Sequence, residues 1–307
     1  MPRVLVIGSA NLDLTVKTAR LPKPGETVSG GELLIAHGGK GANQALAAKR
    51  LGAEVRFIAC LGRDQFGAEI ARHLSEAGLP EDRLLRTADA RTGVALIVVD
   101  RHGQNQIAVA PGANHALTVD LIRDREDDIA WADVLLLQLE TPIETVLWAL
   151  ERARSHRVLT ILNPAPFRQI APEMVSLLDV VTPNEGEAEA LSGLPVNELA
   201  GAVEAGERLR KNGYRNVVIT LGAEGAFYVG LDDAGTHVKG FPVEAVDTTA
   251  AGDAFSGALA YCLAGGSTIG EAIPFANAAA ALACTRRGAQ ESLPDRAEVD
   301  AFLHSQL

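Results

Sequence analysis

The sequence predicts an α/β fold in which a mostly parallel sheet is covered by helices on both faces, giving three layers. Short aliphatic runs recur along the chain, and the best strand candidates are residues 4–7, 55–61, 134–139, 158–162, 180–182 and 217–221. Helical patterns alternate with them at 41–51, 66–77, 143–155, 185–191 and 203–212, and again from residue 252 onward. Such alternation is typical of parallel sheets, whose buried strands read as continuous aliphatic runs.

Two stretches interrupt this alternation and predict a small second sheet. They are strand-like, but no crossover helix follows either of them where one is expected. Asp100 to Gly103 is typical of a hairpin turn within the second stretch. An apolar face of such a sheet is a liability unless something covers it. The expected division is a small projecting β-sheet made of 14–36 and 92–110, and a large domain made of 1–13, 37–91 and 111–307.

The composition excludes several classes of protein. The chain has 307 residues, 47% of them hydrophobic, so a sizeable core is expected and wholesale disorder is not. A net charge of −11 provides no electrostatic footprint for nucleic acid or for an anionic membrane. The three cysteines are far apart and lie in apolar runs, which favours buried free thiols. The N-terminal strand is too short for the apolar region of a signal peptide, and we expect a cytoplasmic protein.

The segment 247–257 (Asp-Thr-Thr-Ala-Ala-Gly-Asp-Ala-Phe-Ser-Gly) carries the sharpest functional signal. Small residues lead directly into a predicted helix, so that backbone N–H groups can converge on an anion and the helix dipole adds positive charge. Asp253 lies in the first turn, where it can accept a proton from an attacking hydroxyl group. Asp is also a favoured capping residue, and the spacing alone leaves the base and the helix cap about equally supported.

A second segment, His-Gly-Gly-Lys-Gly-Ala-Asn-Gln at 37–44, is rich in glycine. Its glycines allow the backbone to approach a ligand closely, and Lys40 and Asn43 add donors where a helix begins. A simple glycine-rich turn explains the same residues, and for the segment alone it is the stronger interpretation. The Gly-Lys-Ser/Thr ending of a nucleotide-binding P-loop is absent, as are the protein-kinase signatures.

Smaller polar groups follow several predicted strands, where ligands of open α/β sheets bind. Taken one at a time, each is more simply a cap or a turn. Asn11 and Asp13 can hold sugar hydroxyl groups, and Asn184 with Glu187 can offer oxygens to a hydrated Mg²⁺, which prefers few protein ligands. The remaining groups after strands are Glu140, Asn163 and the turn 220–225, which can pass beneath a nucleotide.

These segments together resemble the ribokinase family of carbohydrate kinases (the PfkB group) over nearly the whole chain. Residues 38–44 are similar to the N-terminal signature of that family, and residues 247–253 are similar to its C-terminal signature. Three further stretches are similar to the branch that phosphorylates ribose: 111–114, 162–166 and 285–290. Lys40 with Gln44 also argues against the fructokinase and adenosine-kinase branches.

The resemblance implies a fold, a reaction and a role for each matching residue. The fold would be the family's α/β/α sandwich with a β-sheet lid, and the reaction would convert ATP and D-ribose to ADP and D-ribose 5-phosphate. Asp253 would be the base, and the anion hole would be Ala250, Ala251 and Gly252. The sugar would be held by Asn11, Asp13, Gly39, Lys40, Asn43, Glu140 and Asp253. ATP would contact Asn184, Thr220, Gly222, Gly225, Gly252 and Asn277, with Asn184 and Glu187 near Mg²⁺ through water.

The resemblance further implies activation by a monovalent cation, usually K⁺, and a homodimer in which two lids pack together. The matching cation positions are Asp247, Thr249, Ala283, Arg286, Gly288 and Ser292, most of them through backbone carbonyl oxygens. A solvated basic pair at a helix end explains the side chains of Arg286 and Arg287 equally well. Two positions depart from common family residues: Asn277, where His is frequent, and Thr249, where an apolar residue is frequent.

Two other functions stay open on the sequence. A kinase for deoxyribose, another pentose or a nucleoside would use the same chemistry with a different pocket. A sugar-sensing protein that kept the fold and lost the reaction belongs to a different class, and the intact Gly252-Asp253 pair argues against it.

Overall fold

The computed structural model describes residues 1–231 and 235–306; residues 232–234 and 307, which the predicted large domain includes, lie outside the described residues. The strands are β1 Arg3–Ile7, β2 Asn11–Lys17, β3 Glu32–Gly38, β4 Glu54–Gly62, β5 Leu84–Thr87, β6 Gly93–Val99, β7 Asn105–Ala110, β8 Val134–Leu137, β9 Leu159–Leu162, β10 Val180–Val181, β11 Val217–Thr220, β12 Ala226–Val229 and β13 Thr236–Val238. The α-helices are α1 Lys40–Arg50, α2 Gln65–Glu76, α3 Val119–Ile122, α4 Glu126–Trp131, α5 Ile143–His156, α6 Pro172–Val175, α7 Glu185–Ser192, α8 Leu199–Lys211, α9 Ala251–Ala264, α10 Ile269–Cys284 and α11 Arg296–Ser305.

A large sheet with the strand order β13-β12-β11-β10-β9-β8-β1-β4-β5 forms the middle layer. The strands from β11 to β5 are parallel, as predicted, and every strand predicted from an aliphatic run lies in this part. β12 and β13 add an antiparallel edge that the sequence analysis missed, and β5 was missed as well. The central strand β8 is fully buried along its length, which explains its uninterrupted Val-Leu-Leu-Leu sequence.

Strand β1 shows how one sheet serves two cores. Val4 and Val6 belong to the core on one face of the sheet, where α1, α9 and α10 pack. Leu5 and Ile7 belong to the core on the other face, beneath α5 and α8. Since successive side chains of a strand point to opposite faces, this alternation makes the expected three layers. Across the described residues, none of the helices is both long enough and apolar enough to span a bilayer.

The small second sheet has the order β3-β2-β6-β7. Its central strand β2 pairs with β3 and with β6 over its full length. Asn11 and Asp13 therefore lie inside a strand of this sheet, whereas the sequence analysis placed them in the large domain after the first strand. Residues 27–31, which were read as strand-like, are not part of β3, which begins only at Glu32. The division into two domains stays a prediction.

Large apolar side chains are exposed on this second sheet. Ile35 and Leu96 flank Leu14 in the register and share its face, and both are more than half exposed, as is Leu33. Ile107 lies opposite Ile97 on the other face, and its side chain is also more than half exposed. The apolar face that the sequence analysis anticipated is therefore present.

The contact between α1 and α9 is made possible by a glycine. A side chain at Gly257 of α9 would place its first carbon 2.5 Å from the Cβ of Ala47 and 2.7 Å from the carbonyl oxygen of Gln44. The two helices can approach closely only because that carbon is missing. This approach sets the distance between the polar residues at the start of α1 and those at the start of α9.

We expect Gly257→Ala to lower the free energy of unfolding by about 1–3 kcal/mol, because the added methyl group overpacks a helix contact that has no room for it. Urea unfolding followed by circular dichroism measures the loss. Gly270→Ala in α10 is the matched control, since a carbon there would meet nothing within 4 Å. The control should be neutral or gain up to about 1 kcal/mol from helix propensity. Equal stability of the two variants would contradict the close contact.

Candidate active site

Asp253 lies at the start of α9 with its carboxylate held from two sides. It is the third residue of the helix and only 6% exposed. Its Oδ2 accepts a hydrogen bond from Nδ2 of Asn43 at 2.9 Å, and its Oδ1 accepts one from Nε2 of Gln44 at 2.9 Å. Ala250 occupies the N-cap position, and no side chain caps this helix. The helix-cap alternative for Asp253 is therefore wrong, and its carboxylate is oriented by side chains of α1.

The backbone before Asp253 offers unused donors. Ala250 adopts a left-handed conformation with φ = 60°, which turns the chain into the helix. The N–H of Ala251 donates to the carbonyl of Thr248 at 3.2 Å. Within the described ranges 1–231 and 235–306, the N–H groups of Gly252 and Asp253 have no acceptor. Gly252 and Asp253 line a cavity, and the partial positive charge of the helix N-terminus adds to their free N–H groups there.

A cavity of about 200 Å³ opens in front of these donors. It brings together residues that are far apart in sequence, at the carboxyl ends of the central strands, as expected for ligand sites in such sheets. Residues singled out from the sequence form much of its lining: Lys40, Asn163, Asn184, Glu187, Thr220, Ala250, Ala251, Gly252 and Asp253. The lining also includes four residues to which the sequence analysis gave no role of their own, although three of them lie in its motif segments: Ala165, Thr248 and Ser256, with Thr182 at the end of a predicted strand.

The residues expected to hold a sugar are themselves held in place by hydrogen bonds. Oδ1 of Asn11 accepts from Nδ2 of Asn114 at 2.7 Å, and Asn114 in turn accepts from the N–H of Ala10 at 3.0 Å. Oε2 of Glu140 accepts from the N–H of Lys40 at 3.0 Å and from the hydroxyl of Ser9. The supporting roles of Asn114 and Ser9 were missed, because nothing in the local sequence signals a partner about 100 residues away.

The glycine loop packs against the protein's own backbone. Gly39 has φ = 90°, and a carbon there would lie 2.7 Å from the Cα of Ala10. A carbon at Gly41 would lie 2.5 Å from the nitrogen of Ser9. The close approach predicted from this loop is thus made to residues 8–11, between β1 and β2. It draws the start of α1, with Lys40, against the root of the small sheet.

The carboxylates of the site perturb each other and the lysine. Burial raises the pKa of Asp13 to about 6, with the negative charges of Glu140 and Asp253 adding to the effect. The charge of Asp253 raises the pKa of Lys40 and outweighs its burial, so Lys40 is firmly cationic. Burial raises the pKa of Glu187. An ammonium group thus lies among carboxylates in a site whose walls also carry free backbone donors.

Asn184 and Glu187 form a capping box at the start of α7. Oδ1 of Asn184 accepts from the N–H of Glu187, and Oε2 of Glu187 accepts from the N–H of Asn184, both at 2.9 Å. The cap that the sequence allowed is present. Both residues nevertheless line the cavity, and the box uses only one carboxylate oxygen of Glu187. One free carboxylate oxygen fits a Mg²⁺ ion that keeps most of its water shell.

Besides Asn184 and Gly252, four of the six positions expected to contact ATP remain, and they differ in what they touch. Thr220 lines the cavity, and Gly222, with φ = 54°, has open space beside it. Gly225 is packed, because a carbon there would lie 2.2 Å from the carbonyl oxygen of Val238. Nδ2 of Asn277 donates to the carbonyls of Val238 and Lys239 at 3.2 and 3.3 Å. Gly225 and Asn277 therefore pack against the end of β13 and the residue that follows it.

The positions expected to hold a monovalent cation surround Asp247. Its carboxylate accepts from the N–H of Thr249 at 3.0 Å, from the hydroxyl of Thr249 at 2.6 Å and from the N–H of Gly288 at 3.1 Å. Burial alone would raise the pKa of Asp247, but these hydrogen bonds outweigh it and lower the pKa. Arg286 forms an ion pair with Glu298 in which both side chains are 38% exposed, so the solvated-pair alternative stays open for that side chain. The carbonyl of Ala283 accepts from the N–H of Arg286 at 3.3 Å.

Known proteins with the same architecture carry this arrangement of elements. A ribokinase of Haemophilus influenzae is 43% identical over 298 residues, which cover 97% of each chain. A deoxyribokinase of Salmonella typhi is 35% identical and covers 98% of each chain. The solved structure of an Arabidopsis thaliana ribokinase complexed with ribose and ATP superposes with a TM-score of 0.93 at 32% identity, covering 98% of each chain.

The family description that matches this sequence spans almost all of it. The match, to the family described as pfkB family carbohydrate kinase, runs over residues 1–296 and includes both the glycine loop and the start of α9. Identity above 40% with full coverage and a shared strand arrangement agree with it. The chain therefore belongs to the pfkB family of carbohydrate kinases.

Proposed function

We propose that this protein transfers the terminal phosphate of ATP to the 5-hydroxyl of D-ribose, giving D-ribose 5-phosphate and ADP. The observation that carries the proposal is the carboxylate of Asp253, oriented by two amides beside unused helix N–H groups at the edge of a polar cavity. The similarity to ribokinases, one of them solved with ribose and ATP, supports ribose as the sugar.

In the proposed reaction, Asp253 accepts the proton of the 5-hydroxyl while that oxygen forms a bond to the γ-phosphorus. The bond from the γ-phosphorus to the oxygen of the leaving ADP breaks in line with this attack. A carboxylate is a weak base, which suffices because phosphoryl transfer depends mainly on positioning and charge stabilisation. Of the anion hole expected at Ala250, Ala251 and Gly252, the N–H of Ala251 is already bonded to Thr248; we therefore propose that the N–H groups of Gly252 and Asp253 stabilise the transferring group. Lys40 adds a positive charge at the cavity wall.

Mg²⁺, when bound with ATP, neutralises charge on the phosphate oxygens. Glu187 and Asn184 would hold it through water, and Thr220 and Gly222 would lie beside the nucleotide. On the sugar side, Asn11, Asp13, Gly39, Asn43 and Glu140 bind hydroxyl groups. The hydrogen bonds from Asn114 to Asn11 and from Ser9 and Lys40 to Glu140 keep these acceptors fixed before the sugar arrives.

Deoxyribose is a second candidate substrate, because a deoxyribokinase covers the chain as fully as the ribokinases do. Other pentoses and nucleosides would use the same chemistry. A pocket group that loses its hydroxyl partner costs about 1–3 kcal/mol, or about 5- to 150-fold in kcat/KM. The non-catalytic sugar sensor is disfavoured, since the base, the free N–H groups and Lys40 line one cavity.

An assay of ADP release over a panel of pentoses, hexoses and nucleosides tests the substrate, and it is run once with K⁺ and once with Na⁺. We propose that a monovalent cation, K⁺ in preference, binds the loops around Asp247 and orders the start of α9. Activity independent of the cation would remove that part of the proposal. We also place the protein in the cytoplasm, consistent with three unpaired thiols.

The small sheet is proposed to be a lid over the sugar and the contact of a homodimer. Its residues Leu33, Ile35 and Leu96 form an exposed apolar row, and a second copy of the same row would remove it from water. A lid that excludes water also limits the hydrolysis of ATP when the sugar is bound.

We expect Asp253→Asn to keep the binding of ribose and ATP and to lose about 10²- to 10⁴-fold in kcat, the usual contribution of a positioned base. The side-chain oxygen of the new asparagine can still accept a hydrogen bond from Asn43 or Gln44, so the fold should be unchanged. Steady-state kinetics and calorimetric binding measure the two effects. Asp89→Asn, an exposed change outside the cavity, is the control. A kcat for Asp253→Asn within threefold of the parent protein would exclude the base role.

We expect Asp13→Asn to stabilise the protein near pH 7 and to weaken sugar binding. The pKa of Asp13 is about 6 in the folded protein and 3.8 ordinarily, so the unfolded chain releases this proton first. The tighter binding of this proton by the folded protein contributes fully to stability below about pH 4, and the contribution is lost as the pH rises to about 6. Above about pH 6, the uncharged amide should therefore raise the free energy of unfolding by about 1–3 kcal/mol relative to the parent protein. Urea unfolding at pH 4 and pH 7 measures this, and an equal effect at both values would contradict it.

For the dimer, light scattering at micromolar concentration should give twice the chain mass of 32.2 kDa. Ile35→Glu with Leu96→Glu should give the mass of a single chain, since two buried charges per protomer would face each other. Leu199→Glu changes an exposed leucine on α8 and should leave the dimer intact. A single-chain mass for the unchanged protein would count against the proposal.

A further inference from the structure

Two histidines outside the cavity are stacked face to face. The rings of His37 and His73 have centroids 3.8 Å apart and planes within 6° of parallel. His37 is the second-to-last residue of β3, just before the glycine loop, and His73 lies in α2. Stacking fixes the plane of the His73 ring and so fixes the direction in which its Nε2 points.

A continuous line of hydrogen bonds runs from this stack to Asp253. Nε2 of His73 lies 2.8 Å from Oε1 of Gln290. Nε2 of Gln290 donates to Oδ1 of Asn43 at 3.1 Å, and Nδ2 of Asn43 donates to Asp253 at 2.9 Å. Gln290 and Asn43 are 1% and 6% exposed, so water does not compete for these bonds. We call His73, Gln290 and Asn43 the donor chain.

The direction of the donor chain is dictated by its end. An ionised carboxylate can only accept, so Asn43 must present its NH₂ group to Asp253 and its oxygen to Gln290. Gln290 must then present its NH₂ group to Asn43 and its oxygen to His73. His73 must therefore carry a proton on Nε2. Buried hydrogen bonds aligned in this way polarise and strengthen one another.

We propose that His73 and Gln290 are positioning residues for the phosphoryl-transfer reaction, acting through Asn43 to hold the Asp253 carboxylate in its reactive orientation. This inference rests on the proposed role of Asp253 as the base. Asn43 alone could rotate its amide by half a turn and set its oxygen against the carboxylate. Gln290 prevents that, because its NH₂ group accepts no hydrogen bond, and His73 in turn fixes Gln290.

The surroundings of the stack favour a neutral ring at His37. Burial lowers the pKa of His37, and the nearby His73 and Arg72 lower it further, against the opposing effect of Glu69 and Glu291. Nε2 of His37 is buried without a hydrogen-bond partner in the described chain and lies 3.7 Å from Glu69. The donor chain does not require a change of charge, since both the Nε2–H tautomer and the charged ring of His73 can donate.

The first test separates the effect of the N–H group of His73 from the effect of its aromatic ring. His73→Phe keeps an aromatic ring on His37 but has no N–H group. His73→Gln loses the ring but keeps a donor at a similar reach. We expect His73→Phe to lower kcat about 5- to 30-fold with KM values for both substrates little changed, and His73→Gln to restore most of the loss. His156→Phe, on α5, is the control for removing a histidine.

The second test inverts the direction of the chain at Gln290. Gln290→Glu matches the shape of the side chain but offers Asn43 an acceptor in place of a donor, whereas Gln290→Met offers neither. We expect Gln290→Glu to lose about 10- to 100-fold in kcat, more than Gln290→Met. A residue that only fills space would show the reverse order, because the isosteric change is then the milder one.

A measurement on the unchanged protein is independent of activity. Nitrogen-15 spectra of histidine-labelled protein should show neutral His73 as the Nε2–H tautomer, and Gln290→Met should let both tautomers appear. A neutral Nδ1–H tautomer in the unchanged protein overturns the inference even if the variants fail to fold.

Measuring Asp253→Asn beside these variants separates the proposed base role of Asp253 from the proposed positioning role of His73 and Gln290. If Asp253→Asn stays active, the base role fails and this inference fails with it. If Asp253→Asn loses turnover while His73→Phe and Gln290→Glu keep the parental kcat, only the donor chain is refuted.

Discussion

The approach of α1 to α9 is the constraint on which the site depends. Asp253 sits at the start of one helix, and its two amide partners, Asn43 and Gln44, sit in the first turns of the other. A glycine at 257 lets the helices come close enough for these bonds. The same approach leaves the helix N–H groups of α9 free, because the carboxylate that might have capped them is occupied elsewhere. A packing detail of the hydrophobic core thus decides which polar groups remain available for a substrate.

Several residues combine a structural and a functional position. Asn184 and Glu187 cap α7 and still line the cavity. The glycine loop fits against residues 8–11 and thereby places Lys40 beside Glu140. Such double use explains why each residue, taken alone, looked like an ordinary cap or turn. Their convergence at the carboxyl ends of strands, which no single segment displays, is what marks a site.

The parts of the fold that the sequence predicted are those with a strong local signal. The buried parallel strands are aliphatic runs, and the helices between them have clear periodicity. The edge strands β12 and β13 were missed because they are short and pair only antiparallel, β12 with β11 and β13 with β12, outside the alternation of parallel strands and helices. The strand that contains Asn11 and Asp13 was misplaced, because only its pairing with β3 and β6 shows which sheet it joins.

The site followed the same rule. Asp253, Lys40 and Asn43 belong to dense local patterns and could be singled out. Gln290 and Asn114 fall in stretches that resemble the family, but their contacts, like that of Ser9, could not be predicted, since each acts on a residue 100 or more positions away. Pairings of that kind arise only when the chain is folded, and a single sequence carries no record of them.

Strand β2 begins at Asn11, close to the large sheet, and runs outward along the small sheet. That residue sits at the root of the small sheet, next to the large sheet, while Lys17 ends the strand about 20 Å away by the usual rise per residue. A tilt of the sheet about its root would sweep the far tip through several ångströms and leave Asn11 almost where it was. For the lid proposed above, this geometry means that the far end of the sheet would move most, while Asn11, a proposed sugar contact, would stay in register with Asn114 and the rest of the pocket.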